Sequence, residues 1–154
     1  MDEVEKPLFS RGSCAIDDGD SVILTGGFEG WKTKDGIVDG RVSRYDLTGF
    51  VEELPQMMIG RAEHACARYN EGSQKVYAVA GGFPLTSTAE VLLADTQAWT
   101  YLSPLPVAVK FTSGLALHNI FYVLGQISLC PSYCNNLNLN HFARRIRRTR
   151  CSVE

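Results

Sequence analysis

Residues 76–82 read Val-Tyr-Ala-Val-Ala-Gly-Gly, a short apolar run that ends in two glycines. Runs of β-branched, aromatic and small apolar residues favour a buried β-strand. Glycine suits the end of such a strand because it adopts positive φ and allows another segment of backbone to approach closely. The stretch therefore predicts a buried strand followed by a sharp turn.

The same pattern occurs twice more in the chain. Residues 22–27 read Val-Ile-Leu-Thr-Gly-Gly, and residues 120–126 read Ile-Phe-Tyr-Val-Leu-Gly-Gln. A segment of small residues precedes each apolar run: Ser13-Cys14-Ala15, Ala65-Cys66-Ala67 and Gly114-Leu115-Ala116. Asn, Asp and Gly residues separate most of these pairs and favour tight turns. The sequence therefore predicts three β-hairpins, with Cys14, Cys66 and Leu115 at equivalent positions.

Two further strands are predicted after each of the first two hairpins. The third strand ends at Tyr45-Asp46 in the first copy and at Asp95 in the second, and an aromatic residue, Phe50 or Trp99, begins the fourth. Asp46 and Asp95 are 49 residues apart, as are Phe50 and Trp99. A regular period of this length is typical of proteins that stack one structural unit repeatedly. The predicted unit is a four-stranded antiparallel sheet.

These motifs resemble the kelch repeat. The residues that carry the resemblance are Gly26, Gly27, Tyr45, Asp46, Gly81, Gly82, Asp95, Trp99 and Gly125. The match is partial, since Phe50 stands where the family prefers Trp and Gln126 replaces the second glycine of the third pair. The resemblance implies an all-β fold, namely an incomplete kelch-type β-propeller of four-stranded antiparallel blades. About two full blades and the first strands of a third would occupy residues 10–126, after a lead-in over residues 1–9.

The number of repeats is too small for a closed ring. A propeller needs about four to eight blades, whereas this sequence supplies two full units and part of a third. Open blade edges and uncovered apolar faces favour aggregation or pairing with another chain. We therefore expect a fragment or a truncated form of a larger propeller protein, with self-association through unpaired blade edges as one consequence.

Residues 127–154 depart from the repeat pattern. They contain no glycine, five arginines and one glutamate, which predicts a basic, poorly ordered tail outside the propeller. A short helix over residues 141–150 is the one regular element that this sequence suggests. The arginines at 144–150 could attract phosphates or act as a nuclear address, but short basic runs are more often simply solvated.

A zinc site in this tail is the alternative to a structureless segment. Its candidate ligands are Cys130, Cys134, His141 and Cys151. Structural zinc sites usually pair their cysteines as Cys-x2-Cys, and the spacing here is looser. We therefore predict no metal.

Composition excludes several classes of protein. The chain has 154 residues, of which 45% are hydrophobic and 21% charged, as in a single folded domain. No apolar stretch approaches the ~18 residues of a membrane span, and a net charge of −2 predicts neither nucleic-acid nor membrane binding. The acidic start lacks the apolar core of a secretory signal. Five cysteines, an odd number, fit a reducing compartment, so the localisation stays open with the cytoplasm favoured.

No catalytic set is recognisable in the sequence. His64 and His118 lack a carboxylate or a nucleophile in a known arrangement, and Cys14 and Cys66 are interpreted as small packing residues. We therefore predict a non-enzymatic protein–protein interaction module without cofactors, whose partner is another protein. The alternatives are a fragment of a galactose-oxidase-like copper enzyme, which the kelch resemblance also allows, and a product with no independent function.

The long connection at residues 28–40 is the candidate partner-binding loop. Binding residues of repeat proteins often lie on loops held by rigid sheets, and an exposed aromatic side chain can anchor a partner. The candidate contact residues are Phe28, Trp31, Lys32 and Lys34. The alternative is that Trp31 packs back onto its own blade.

Overall fold

The structure of the chain, a computed structural model, describes residues 10–28, 37–126 and 142–146. Within these ranges the chain forms eleven strands and no helix. The strands make three antiparallel sheets, none of which closes on itself. The prediction of an all-β chain built from antiparallel sheets is confirmed.

The first sheet follows the order of the chain. Its strands are β1 (Cys14–Asp17), β2 (Val22–Thr25), β3 (Val42–Asp46) and β4 (Gly49–Leu54). Aspartate side chains close both of its tight turns. Asp17 Oδ1 accepts a hydrogen bond from the Gly19 amide at 2.9 Å, and Asp46 Oδ1 accepts one from the Thr48 amide at 2.7 Å. These side chains replace missing backbone partners, which is why aspartate favours turns.

The second and third sheets repeat this plan. The second contains β5 (Ala65–Glu71), β6 (Gln74–Ala80), β7 (Ala89–Leu93) and β8 (Trp99–Tyr101). The third contains β9 (Lys110–Leu117), β10 (Ile120–Gln126) and β11 (Phe142–Ile146), in the order β11-β10-β9. The three predicted hairpins are therefore β1–β2, β5–β6 and β9–β10.

Strand β11 is an element that the sequence did not predict. The sequence suggests at most a short helix over residues 141–150, whereas the structure pairs β11 antiparallel with β10, with Phe121 opposite Ile146. The segment Phe-Ala-Arg-Arg-Ile has too weak a pattern to indicate a strand by itself. The predicted boundary at residue 127 therefore does not end the third sheet.

The three sheets stack face to face in chain order. Buried side chains of the first and second sheets form one core: Ile16, Ile23, Val42, Tyr77, Val79, Leu92 and Trp99. Those of the second and third sheets form another: Ala65, Ala67, Val76, Ala78, Val91, Phe121 and Val123. The first strands β1, β5 and β9 lie side by side. A Cβ at Gly114 would lie only 2.6 Å from the Cys66 carbonyl oxygen, so the small residue allows β9 to approach β5.

A disulfide between Cys14 and Cys66 links the first and second sheets, with their Cα atoms 6.0 Å apart. The prediction that the two cysteines occupy equivalent repeat positions is wrong. Their interpretation as packing residues agrees with the buried Cys66 in the core between the two sheets, but it did not include the disulfide. Cys14 lies opposite Thr25, which corresponds to Ala80 in the repeat, whereas Cys66 lies opposite Val79. The two cysteines are therefore offset by one residue. A shift of one residue moves a side chain to the other face of a strand. Cys14 therefore faces the second sheet, and Cys66 faces the first.

Candidate binding surfaces

Both glycine pairs lie at the same end of their sheets, which we call the glycine end. The φ angles are +57° at Gly26 and +64° at Gly81. The second glycine of each pair donates a hydrogen bond to the segment that leads into the next sheet: Gly27 to the Arg61 carbonyl and Gly82 to the Val109 carbonyl, both at 2.9 Å. The glycine pairs thus hold consecutive sheets together, and the connections after β2 and β6 are brought to one end of the molecule.

The candidate loop leaves this end, and its first residue is buried. Phe28 is 8% exposed, its ring centroid is 5.5 Å from that of Phe83, and the Arg11 guanidinium lies 4.9 Å from the ring centroid. A bridge between Phe28 and Val38 closes the base of the loop. The structure therefore gives Phe28 a packing role instead of the predicted surface contact. Trp31, Lys32 and Lys34 lie outside the described residues.

The other repeat-motif residues take structural positions. The Trp99 indole is buried, and its Nε1 donates a hydrogen bond to the Pro55 carbonyl oxygen at 2.7 Å, which ties the second sheet to the first. Tyr45 packs edge-on against Phe50, with ring centroids 5.8 Å apart. Asp95 lies in the turn after β7. Gly125 is buried in β10, where a Cβ would lie 2.4 Å from Thr112 Cγ2. In these positions the residues contribute to the packing and the turns of the sheets.

A buried ion pair that no sequence motif indicated joins the segment before β5 to strand β7. Arg61 and Glu90 contact each other and are both 0% exposed. Arg61 also donates a hydrogen bond to the Gly81 carbonyl at 2.9 Å, and Glu90 accepts one from the Met58 amide at 2.7 Å. A buried pair of this kind is strongly destabilising to break. The only sequence signal was a single acidic residue inside the apolar strand β7.

His64 is buried beside this pair and is held neutral. Burial, with a smaller effect from the nearby Arg61 charge, lowers the pKa of His64 from 6.5 to about 3. Its Nε2 lies 2.7 Å from Thr25 Oγ1, so the imidazole connects the end of β2 to the segment before β5. With this pKa the imidazole stays uncharged near neutral pH.

A second polar cluster lies at the opposite end of the sheets, around Asp18. Its carboxylate accepts hydrogen bonds from the Tyr77 hydroxyl at 3.0 Å and from Lys75 Nζ at 3.1 Å, and Arg44 and Arg68 lie within 3.5 Å of it. Burial alone would raise the pKa of Asp18, but these donors and cations hold it below its usual value. The cluster fastens the β1–β2 turn to the second sheet.

The face of the first sheet that points away from the second sheet is open. We call it the first outer face and define it by Ala15, Val22, Leu24, Ser43, Tyr45 and Phe50. A groove of about 1200 Å³ runs along it. The charged residues that line this groove are Asp17, Asp20, Asp39, Asp46, Glu53 and Arg41. Asp17 and Glu53 lie on the face itself, opposite Val22 and Ser43, so the groove combines apolar side chains with mainly acidic ones.

The third sheet has a corresponding open face. We call it the third outer face and define it by Leu115, Leu117, Ile120, Tyr122 and Leu124, which share one side of the β9–β10 hairpin. The strands of this sheet contain Lys110, Arg144 and Arg145 and no acidic residue. Both outer faces carry exposed apolar side chains, Val22 and Phe50 on the first and Leu115 and Leu117 on the third.

In the part of the chain that the structure describes, no group of three or more His, Cys, Asp or Glu side chains is arranged to hold a metal ion. The four tail residues considered as zinc ligands lie outside that part, and the copper-enzyme alternative stays a prediction. No helix among the described residues has the length and apolar character required to cross a membrane.

Comparisons with known proteins give a likeness of fold and no family. No protein-family model and no curated protein matches the chain by sequence. Solved structures do match, among them one titled "Structure of YjhT", with a TM-score of 0.61 at 17% identity. The match covers 80% of this chain and 41% of that one. At this identity the likeness concerns the fold alone, and the chain spans about two fifths of the length of its structural neighbour.

Proposed function

We propose that the chain is part of a kelch-type β-propeller that acts as a non-enzymatic protein-binding module, with further blades supplied from outside residues 1–154. One observation carries this proposal: three antiparallel sheets follow each other along the chain, stack face to face and place their first strands side by side. Successive blades with their first strands nearest a common axis would have this order.

The hydrogen bonds of the glycine pairs support the repeat. Gly26 and Gly81 each donate a hydrogen bond to the carbonyl of the residue immediately before the third strand of their sheet, Arg41 at 2.8 Å and Thr88 at 3.0 Å. Gly27 and Gly82 each donate to the lead-in of the next sheet. Two copies of one bonding pattern at positions 55 residues apart are expected of a repeated blade and not of two unrelated hairpins.

The binding surface belongs to the glycine end in this proposal. The connections after β2 and β6 leave the sheets there, and their bases are fixed by the bridges Phe28–Val38 and Ala62–Phe83. Loops on a rigid base suit recognition because little chain entropy is lost when a partner binds. Trp31, Lys32 and Lys34 supply an aromatic anchor and positive charge to the longer of these loops.

Quantitative affinity capture tests the proposal. The chain and a Trp31→Ala/Lys32→Ala/Lys34→Ala variant would be used as baits against a cell extract, with captured proteins quantified by mass spectrometry. The matched control is Asp20→Ala, in the β1–β2 turn at the other end of the sheets. We expect the triple variant to lose at least about tenfold of its specific partner, which corresponds to ~1.4 kcal/mol, while the control retains it. Capture that is insensitive to the loop would contradict the proposal.

A further inference from the structure

The disulfide lies next to the segment that holds the base of the candidate loop. This segment, residues 10–13, directly precedes β1, whose first residue is one cysteine of the bridge. The Arg11 carbonyl accepts a hydrogen bond from the Phe28 amide at 2.8 Å. Ser13 Oγ donates a hydrogen bond to the Gly26 carbonyl, also at 2.8 Å. The bridge is therefore connected, through residues 10–13, to the end of β2 where the loop begins.

The second sheet offers a matched comparison without a crosslink at this position. Its loop base is closed by the same kind of bond, from the Phe83 amide to the Ala62 carbonyl at 2.7 Å. The residue that begins β5, in the place that Cys14 takes in β1, is Ala65, and an alanine cannot form a disulfide. The two loop bases thus share their hydrogen bonds and differ in the covalent link.

The segment before β5 is also held more firmly than the segment before β1. Its Arg61 and His64 side chains are buried, and Arg61 is paired with Glu90. Residues 10–13 are all partly or fully exposed. Strand β5 pairs with β6 over seven residues, whereas β1 pairs with β2 over four. The disulfide therefore ties a weakly held strand to a firmly held one.

A reductant reaches one of the two cysteines first. Cys14 is partly exposed, whereas Cys66 is 4% exposed in the core between the first two sheets, and thiol–disulfide exchange depends on which sulfur is accessible. The thiolate of a small dithiol would attack Cys14 Sγ and break the S–S bond, and Cys66 Sγ would leave and take up a proton. The second thiol of the reductant would then displace Cys14. Two electrons and two protons pass to the cysteines, and the dithiol becomes a disulfide.

We propose that the Cys14–Cys66 disulfide is a redox switch that controls the base of the candidate loop. In the oxidised chain the bridge holds β1, and through it residues 10–13, against β5. In the reduced chain residues 10–13 open locally, and their bonds to Gly26 and Phe28 open with them, while β5–β8 keep their packing. The regulation of partner binding by this opening rests on the proposed function, but the opening itself does not.

Hydrogen–deuterium exchange of the folded chain tests the switch. The oxidised chain is compared with the chain reduced by dithiothreitol, in peptic peptides that cover residues 10–13 and 26–28. We expect these peptides to exchange at least about tenfold faster after reduction, because their amides exchange by local opening. Peptides that cover residues 61–64 and 81–83, the equivalent segments of the second sheet, should accelerate much less. Equal acceleration at both loop bases overturns the proposal, since a crosslink that only raises global stability acts on both, and so does an absence of change at either.

Two sets of cysteine variants assign the response to this disulfide. Cys14→Ser/Cys66→Ser should exchange as the reduced parent chain does, with or without reductant. The matched control replaces the other three cysteines with alanine, at Cys130, Cys134 and Cys151, and should respond to reduction as the parent does. A control that no longer responds places the redox-sensitive group among those three cysteines and overturns the proposal.

The rate of reduction separates a switch from a purely structural crosslink. Free thiols at Cys14 and Cys66 are trapped by alkylation and quantified by mass spectrometry at increasing dithiothreitol concentration, without urea. We expect the rate to rise in proportion to that concentration, because a partly exposed sulfur is attacked in the folded chain. A rate that levels off at the rate of global unfolding means that only the unfolded chain is reduced, and contradicts the switch. Oxidised glutathione should restore slow exchange at residues 26–28, and an irreversible change would also contradict it.

Partner capture separates this proposal from the proposed function. A loop base that responds to reduction, in a chain whose capture of proteins does not depend on Trp31, Lys32 and Lys34, contradicts the proposed function alone. Loop-dependent capture by a chain whose loop base does not respond overturns the switch alone. Where both hold, the reduced chain should capture less partner, because it must order its loop base on binding. Equal capture in the two states would overturn regulation by the disulfide.

Discussion

At the scale of single residues, the glycine pairs show how backbone freedom and close approach act together. Gly81 has a φ of +64°, and a Cβ there would lie 2.7 Å from Val109 Cγ2 and 3.1 Å from the Val109 carbonyl oxygen. Gly72 has the same φ of +64°, but a Cβ there would meet nothing within 4 Å. Position 81 therefore favours glycine both for its positive φ and for the space that a side chain would need, whereas position 72 favours glycine for its φ alone.

We therefore predict that Gly81→Val destabilises the chain by about 3 kcal/mol, above the ~1 kcal/mol of an average substitution. The matched variant Gly72→Val should lose about 1–2 kcal/mol, because it retains only the strain of positive φ. Urea unfolding followed by circular dichroism measures both. Equal losses in the two variants would show that the contact between the β6–β7 turn and Val109 contributes nothing to stability.

His64 predicts how stability depends on pH. Its pKa is about 3 in the folded chain and 6.5 ordinarily, so between these values the unfolded chain binds more protons. Stability is then complete above pH 6.5 and falls as the pH drops from 6.5 towards 3. The slope should approach ~1.4 kcal/mol per pH unit in the middle of this range.

Replacement of His64 should remove this slope. In His64→Gln we expect the unfolding free energy to change little between pH 6.5 and pH 5, a window in which few carboxylates titrate. His118→Asn, at an exposed position with positive φ that asparagine tolerates, is the control and should keep the slope. Chemical unfolding at a series of pH values measures the effect, and an unchanged slope in His64→Gln would refute the assignment.

At the scale of elements, the disulfide joins two strands that β-pairing does not join. The first and second sheets share no hydrogen-bonded strand pair, and Cys14–Cys66 crosses between them over a sequence separation of 52 residues. Crosslinks that close long loops restrict the unfolded chain most. The disulfide therefore restrains the position of the first sheet relative to the second.

We predict that reduction of the disulfide lowers the unfolding free energy by about 3–4 kcal/mol. The Cys14→Ala/Cys66→Ala variant should match the reduced chain and should not respond to reductant. Urea unfolding with and without dithiothreitol provides the comparison, and mass spectrometry of alkylated protein confirms which thiols are free. A double variant that still loses stability in reductant would place the redox-sensitive bond elsewhere.

The elements also show how far the sequence could predict the fold. The strands β2, β6 and β10 were predicted because each has an apolar run and a glycine, which are local signals. Strand β11 and the Cys14–Cys66 pair were not, because both depend on register between segments far apart in the chain. The sequence pattern aligned Leu115 with Cys66. In the structure the residue opposite Val123, as Cys66 is opposite Val79, is Gly114. The Arg61–Glu90 pair was missed for the same reason, since the two residues are 29 positions apart and neither belongs to a motif.

At the scale of the whole molecule, the second sheet differs from the other two because apolar cores cover both of its faces. Strands β2, β6 and β10 are each the second strand of a sheet, and each pairs with strands on both sides. Their backbone hydrogen bonding is therefore similar. Any difference in how readily they open must come from what covers the sheet faces.

Hydrogen–deuterium exchange should resolve this difference. In dilute protein we expect the β6 amides to exchange slowest, since local opening there exposes the apolar surface of two cores, while β2 and β10 open at lower free energy. Mass spectrometry of peptic peptides measures the exchange of each strand. Equal protection of the three strands in the dilute protein would mean that face-to-face packing does not set the stability of individual sheets.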